Sequence, residues 1–166
     1  MSALLAAGEV DPRGLRFAAA LTTLVLATVL LTESAGLLAA QALVFAIAAF
    51  AGVHRSPYSL IYARWVRPRL GPPTETEDAR APQFAQLVGF VFALAGLAGF
   101  AAGVPVLGLV AAGLATGAAF LQAAFGLCLG CEVYLIVHRL TPSSPITHHS
   151  PARLPAQQPP TTEVSA

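Results

Sequence analysis

The sequence predicts an all-α integral membrane protein: a four-helix bundle with a cytosolic interfacial helix and a disordered C-terminal tail. Three observations carry that expectation. Hydrophobic residues make up 56% of the 166-residue chain and charged residues only 10%, against about 25% charged in a soluble domain. Four apolar stretches reach or approach the roughly 20 residues that a spanning helix needs. The nine basic residues, all arginine, lie at only one set of ends of those stretches.

The elements follow in order. The first span covers about residues 15–32, after Asp11-Pro12, a helix-start signal. Arg13 and Arg16 before an apolar run also fit a signal peptide, but Thr32-Glu33-Ser34-Ala35 is a poor cleavage site, so the segment is read as a helix. A tight turn over Thr32–Gly36 leads into the second span, about 35–53. His54–Leu70 is the interfacial helix: Ser56 caps it, Pro57 sits at its first position, and Tyr58, Ile61, Tyr62 and Trp65 share one face. Those aromatics are expected at headgroup depth, with membrane lipid as their partner. Gly71–Pro82 is Pro-rich and acidic and reads as a solvated turn. The third span is about 83–104.

The fourth apolar segment, about 106–137, is too long. Thirty-two residues make about 48 Å of helix, against a hydrocarbon core of about 30 Å. It must tilt, kink or emerge, with Gly126 and Gly130 as break points. Gly99/Gly103, Gly113/Gly117 and Gly126/Gly130 are spaced G-x-x-x-G, which favours close helix contact within the bundle, with a homo-oligomer as the alternative. Residues 141–166 hold six prolines and few apolar residues, so no packed core is expected there. His148-His149 lies in that tail and is read as bland.

Arginine retained on the cytosolic side sets the topology. Arg13 and Arg16 precede the first span, Arg55, Arg64, Arg67, Arg69 and Arg80 lie between the second and third, and Arg139 and Arg153 follow the fourth. The predicted location is the cell membrane, multi-pass, with both termini and the central loop in the cytosol. No basic footprint for nucleic acid is present.

The chemistry lies in FGLCLGCEVYLIVHR, residues 125–139, which contains both cysteines. On a helix Cys128, Cys131, Glu132 and His138 form a polar line, with the thiols in the cytosolic half. A carboxylate in a span normally faces a partner or water. Thiol–disulfide exchange needs an attacking thiolate and a resolving cysteine three residues on, and Glu132 offers a proton acceptor. Haem attachment requires histidine after the second cysteine, where Glu132 stands. Zinc needs about four ligands, and a single C-x-x-C supplies two; completion by His54, His138 or a second chain stays open. So does packing of two small apolar thiols. No cofactor and no metal is assigned.

Three stretches, V-D-P-R-x-x-R (Val10–Arg16), A-P-Q-F-A-Q-x-x-G (Ala81–Gly89) and F-G-x-C-x-G-C-E-x-Y (Phe125–Tyr134), together resemble a family of small bacterial membrane proteins, common in actinobacteria, catalogued as a domain of unknown function, DUF4395. The likeness covers about residues 10–140. Pro82 stands where a basic residue is expected in that family. The resemblance implies a four-span protein with a membrane dithiol and an association with thioredoxin-like or sulfurtransferase partners, and it supplies no reaction.

The function expected is membrane-embedded thiol redox or sulfur handling, with Cys128 attacking and Cys131 resolving. The alternative is a non-enzymatic accessory subunit or small transporter whose cysteines only pack. Whether the chain is an enzyme is left open.

Overall fold

Each long helix starts at a cap that the local sequence supplies. In the computed structural model, which describes residues 8–70 and 76–140, α1 (Pro12–Thr32) begins at Asp11, whose carboxylate accepts the Arg13 N–H at 2.9 Å, with Pro12 at the first helical position. Its end is a left-handed Glu33 (φ 51°). Ser34 then caps α2 (Ala35–Ala46) by accepting from the Leu37 N–H at 3.3 Å. Two residues therefore reverse the chain, the tight hairpin expected at Thr32–Gly36.

The apolar run of α2 continues as a π-helical turn, Ile47–Ala51. A short 3₁₀ turn (Val53–Arg55) follows. The next helical stretch is α3 (Pro57–Ile61), a second π turn (Tyr62–Val66) and α4 (Arg67–Leu70). Helix α5 spans Arg80–Ala101 and α6 spans Pro105–Phe125. Between them the Val104 N–H reaches the Gly99 carbonyl and the Gly103 N–H the Phe100 carbonyl, with Gly103 at φ 72°. That is a Schellman cap, and the left-handed position explains the glycine. Helix α7 covers Leu129–Leu140.

The architecture is all-α, with three helices, α1, α5 and α6, long and apolar enough to cross a membrane. At 1.5 Å per residue each measures about 32 Å, and the 17-residue Ala35–Ala51 unit about 25 Å. The fourth segment is not one span. Its 12-residue α7 is only about 18 Å long, and Gly126, not Gly130, makes the break. The core between the helices holds Leu26, Val29, Leu38, Ala42, Phe45, Ala93 and Ala112. Helix α1 packs on α6, α6 on α5, and α5 on α2.

The loop end differs from expectation in two places. The acidic stretch is not all turn: β2 (Glu77–Asp78) pairs antiparallel with β1 (Glu9–Val10), and α5 already includes Pro82. The aromatic face of the loop helix is split. Trp65 is 65% exposed and Ile61 45%, but Tyr62 is buried, donating its hydroxyl to Asp11 Oδ2 at 2.9 Å, and Tyr58 donates to Gln41 Oε1 at 2.7 Å. These two tyrosines tie the loop helix to the bundle. Ser56 stands at the cap position without a side-chain bond. The Pro-rich tail with His148 and His149 lies outside the described residues.

The packing glycines are fewer than the spacing implied. A Cβ at Gly99 would meet the Gly108 nitrogen at 2.7 Å, and one at Gly130 would meet Ala85 Cβ at 2.6 Å. Gly103, Gly113, Gly117 and Gly126 face nothing within 4 Å.

Candidate functional site at the start of α7

The end of α6 decides where the dithiol sits. Gly126 adopts φ 72°, and its N–H bonds the Gln122 carbonyl at 3.0 Å while the Leu127 N–H bonds the Leu121 carbonyl at 3.3 Å. The next two carbonyls, of Ala123 and Ala124, would be orphaned by the helix end. Arg16 of α1 takes both, through Nε at 3.4 Å and Nη2 at 3.1 Å. A cation there also suits the negative end of the helix dipole. In the sequence Arg16 is only a topology signal; its partners lie 107 and 108 residues away, beyond the reach of local pattern.

The chain then restarts as α7 with Cys128 immediately before its first residue. Cys128 Sγ accepts the Cys131 N–H at 3.2 Å and its carbonyl accepts the Glu132 N–H at 3.0 Å. Cys128 thus caps α7 as a serine or aspartate would. Cys128 and Cys131 are joined by a disulfide, with Cα atoms 5.1 Å apart. Opened, the pair would leave the Cys128 sulfur facing a backbone N–H at the positive end of a 12-residue helix.

Glu132 lies in the first turn of α7 and is exposed. Among the described residues that line the cavity behind Cys128, Glu132 is not present. His138 continues the helix, and its side chain lies outside the described residues. Among the described residues no three His, Cys, Asp or Glu side chains gather closely enough to hold a metal ion.

Helix α7 is held by α5. Gly130 seats on Ala85, and Tyr134 packs on Phe84 with the rings tilted by 46° and their centroids 5.6 Å apart. In front of that contact, a cavity of about 350 Å³ opens between α1, α2, α5, α6 and α7, and Cys128 is on its wall. Gln122 lines the same cavity, and its Oε1 is buried with no hydrogen-bond partner.

Gln83, in the stretch that opens the third span, has a structural part. Fully buried, it donates Nε2 to the Ala49 carbonyl at 2.7 Å inside the π turn of Ile47–Ala51. Tyr62, at the loop end, has its phenol pushed above 10.0, first by burial and then by its bond to Asp11. Burial raises Tyr58 likewise.

Against known proteins, the family described as a domain of unknown function, DUF4395, matches residues 10–139. No curated protein and no solved structure matches.

Proposed function

The chain belongs to the DUF4395 family, and from that membership, which names no reaction, we propose that it is a membrane-embedded thiol–disulfide exchange protein acting through Cys128 and Cys131. The observation that carries the reading is the position of Cys128. It is the cap of α7, with its sulfur on the Cys131 N–H and its partner cysteine already within bonding reach. A thiolate needs that stabilisation to attack or to leave.

In this mechanism the Cys128 thiolate attacks a partner disulfide and forms a mixed disulfide, releasing one partner thiolate. Cys131 then attacks Cys128 Sγ, closes the internal disulfide and releases the second partner thiolate. Charging a partner dithiol is the same path reversed. The partner is a thioredoxin-like or sulfurtransferase protein. Glu132, exposed one turn away, is accessible to water and takes up or returns a proton.

The membrane orientation belongs to the same proposal. Arg16, the end of α6 and the start of α7 meet at one end of the bundle. Positive charge retained inside makes that end cytosolic, with both termini. Glutathione keeps cytosolic thiols reduced, so a disulfide there is a cycling one rather than a staple.

The test is trapping in intact membranes. Cys131→Ser should accumulate a mixed disulfide on Cys128, while Cys128→Ser should trap little. Reporter fusions within residues 76–80 should read cytosol and fusions at Gly36 the outside. If both cysteines stay reduced under mild oxidant and the double Cys→Ala variant keeps all function, the accessory-subunit reading replaces this one.

A further inference from the structure

We infer that the cavity behind Cys128 is a binding site for a membrane quinone, which accepts the two electrons of the Cys128–Cys131 dithiol. The inference rests on the exchange reading above, in the direction that oxidises a partner dithiol, and supplies the oxidant that restores the Cys128–Cys131 disulfide after each round.

Position comes first. Among the described residues Cys128 lines the cavity and Cys131 does not, so the dithiol borders it through Cys128. The volume, about 350 Å³, falls within the range of roughly 300–1,000 Å³ for small-molecule sites. Its walls include Leu15, Phe45, Phe92 and Leu114, and among the described residues no charged side chain lines it. Nucleotides, nicotinamide cofactors and glutathione carry charges that such walls would leave unpaired. A flat, neutral, lipid-soluble oxidant fits them.

The second observation is Gln122. A buried amide oxygen without a partner is costly, and an acyl chain filling the cavity would leave it so. A quinone and its quinol satisfy an amide in both redox states. The amide N–H donates to a quinone carbonyl, and the amide oxygen accepts from a quinol hydroxyl, the two ends being exchanged by a simple flip. Gln86 brings a second amide to the same cavity.

The step balances without any further reactant. The Cys128 thiolate bonds to a ring carbon and moves an electron pair onto a quinone oxygen, which is protonated. The Cys131 thiolate attacks Cys128 Sγ, the sulfur–carbon pair returns to the ring, and a second proton completes the quinol. Two S–H bonds are lost, one S–S bond forms, and the quinone gains two electrons and two protons.

The experiment uses the full chain in phosphatidylcholine nanodiscs, reduced, desalted and kept anaerobic. Decylubiquinone is the probe, because its fully substituted ring resists permanent arylation by thiols. One quinol should form per disulfide, with a rate that saturates in quinone and exceeds that of free glutathione at equal thiol. Gln122→Leu should weaken the apparent quinone affinity about fivefold or more, as expected for a lost buried hydrogen bond. Ala118→Phe, which fills the cavity, should abolish saturation. Decylubiquinone should also raise the melting temperature of the oxidised wild-type protein, a readout that needs no variant. Exchange of the reduced wild-type protein with oxidised glutathione is followed in parallel. If that exchange proceeds while quinone reduction is unsaturable and no melting shift occurs, the cavity holds lipid and the quinone site is wrong, with the exchange reading intact. If neither reaction proceeds, the dithiol reading falls as well.

Discussion

Replacing Gly130 by alanine puts the geometry of the site under direct load. An ideal Cβ there would lie 2.6 Å from Ala85 Cβ and 2.7 Å from Ala85 Cα. Carbon atoms rest about 3.5–4.0 Å apart, so α7 must withdraw from α5 by roughly 1 Å. Overpacking of this kind costs about 1–3 kcal/mol. Alanine recovers about 0.5–1 kcal/mol through the stiffer unfolded chain. The net loss is therefore up to about 2.5 kcal/mol, which at about 2–4 °C per kcal/mol lowers the melting temperature by up to roughly 10 °C. Thermal unfolding in nanodiscs reads it, and the alkylation rate of reduced Cys128 should change with it, since the withdrawn helix carries that cap. Gly113, with nothing within 4 Å, is the internal control: Gly113→Ala should be neutral or stabilising by about 0.5–1 kcal/mol. Adding Ala85→Gly to Gly130→Ala takes away the methyl that the new side chain strikes, while the backbone behind it stays in place, so only part of the loss should return. Equal melting temperatures for Gly130→Ala and Gly113→Ala would refute the close approach of α7 to α5.

Three further substitutions test the end of the bundle where α1 begins. Arg16→Gln should lose both bonds to the Ala123 and Ala124 carbonyls, a loss of about 1–2 kcal/mol at an exposed position, seen as roughly 5- to 30-fold faster amide hydrogen exchange around Gly126–Leu127, with Arg16→Lys recovering only part because it lacks the planar fork. Tyr62 should give a stability contribution that is complete below pH 10, its ordinary value, and is lost as pH rises through the elevated folded value, because burial and Asp11 favour the neutral phenol; denaturation followed from pH 9 to 12 should therefore show a smaller alkaline loss in Tyr62→Phe than in wild type, at the cost of about 1–2 kcal/mol at neutral pH from the missing bond to Asp11.

What the sequence made legible was local. Asp11-Pro12, the Glu33-Ser34 reversal and the break near Gly126 are written in three or four adjacent residues each, and composition alone marks the membrane class. The long-range contacts were not legible. Nothing near Arg16 points to the carbonyls of Ala123 and Ala124, and nothing near Gln83 announces Ala49. Tyr58 and Tyr62 look like lipid anchors in the sequence because periodicity defines a face without saying what covers it. The site divides the same way. The C-x-x-C spacing marks Cys128 and Cys131, but two candidate break points, Gly126 and Gly130, leave open where the new helix starts, which hides the capping position of Cys128 and the cavity with Gln122.

The Arg16 cap also sets an order of events during biogenesis. A chain leaving the ribosome delivers α1 long before α6, and the carbonyls of Ala123 and Ala124 find their cation only when the first and last long helices meet side by side. That contact spans more than a hundred residues, a slow, late closure by its loop length. Until it is made, the break before Cys128 lacks its lock and the cysteine pair has no fixed helix start to sit on. The helix start that carries the cysteine pair is thereby tied to the meeting of α1 with the end of α6.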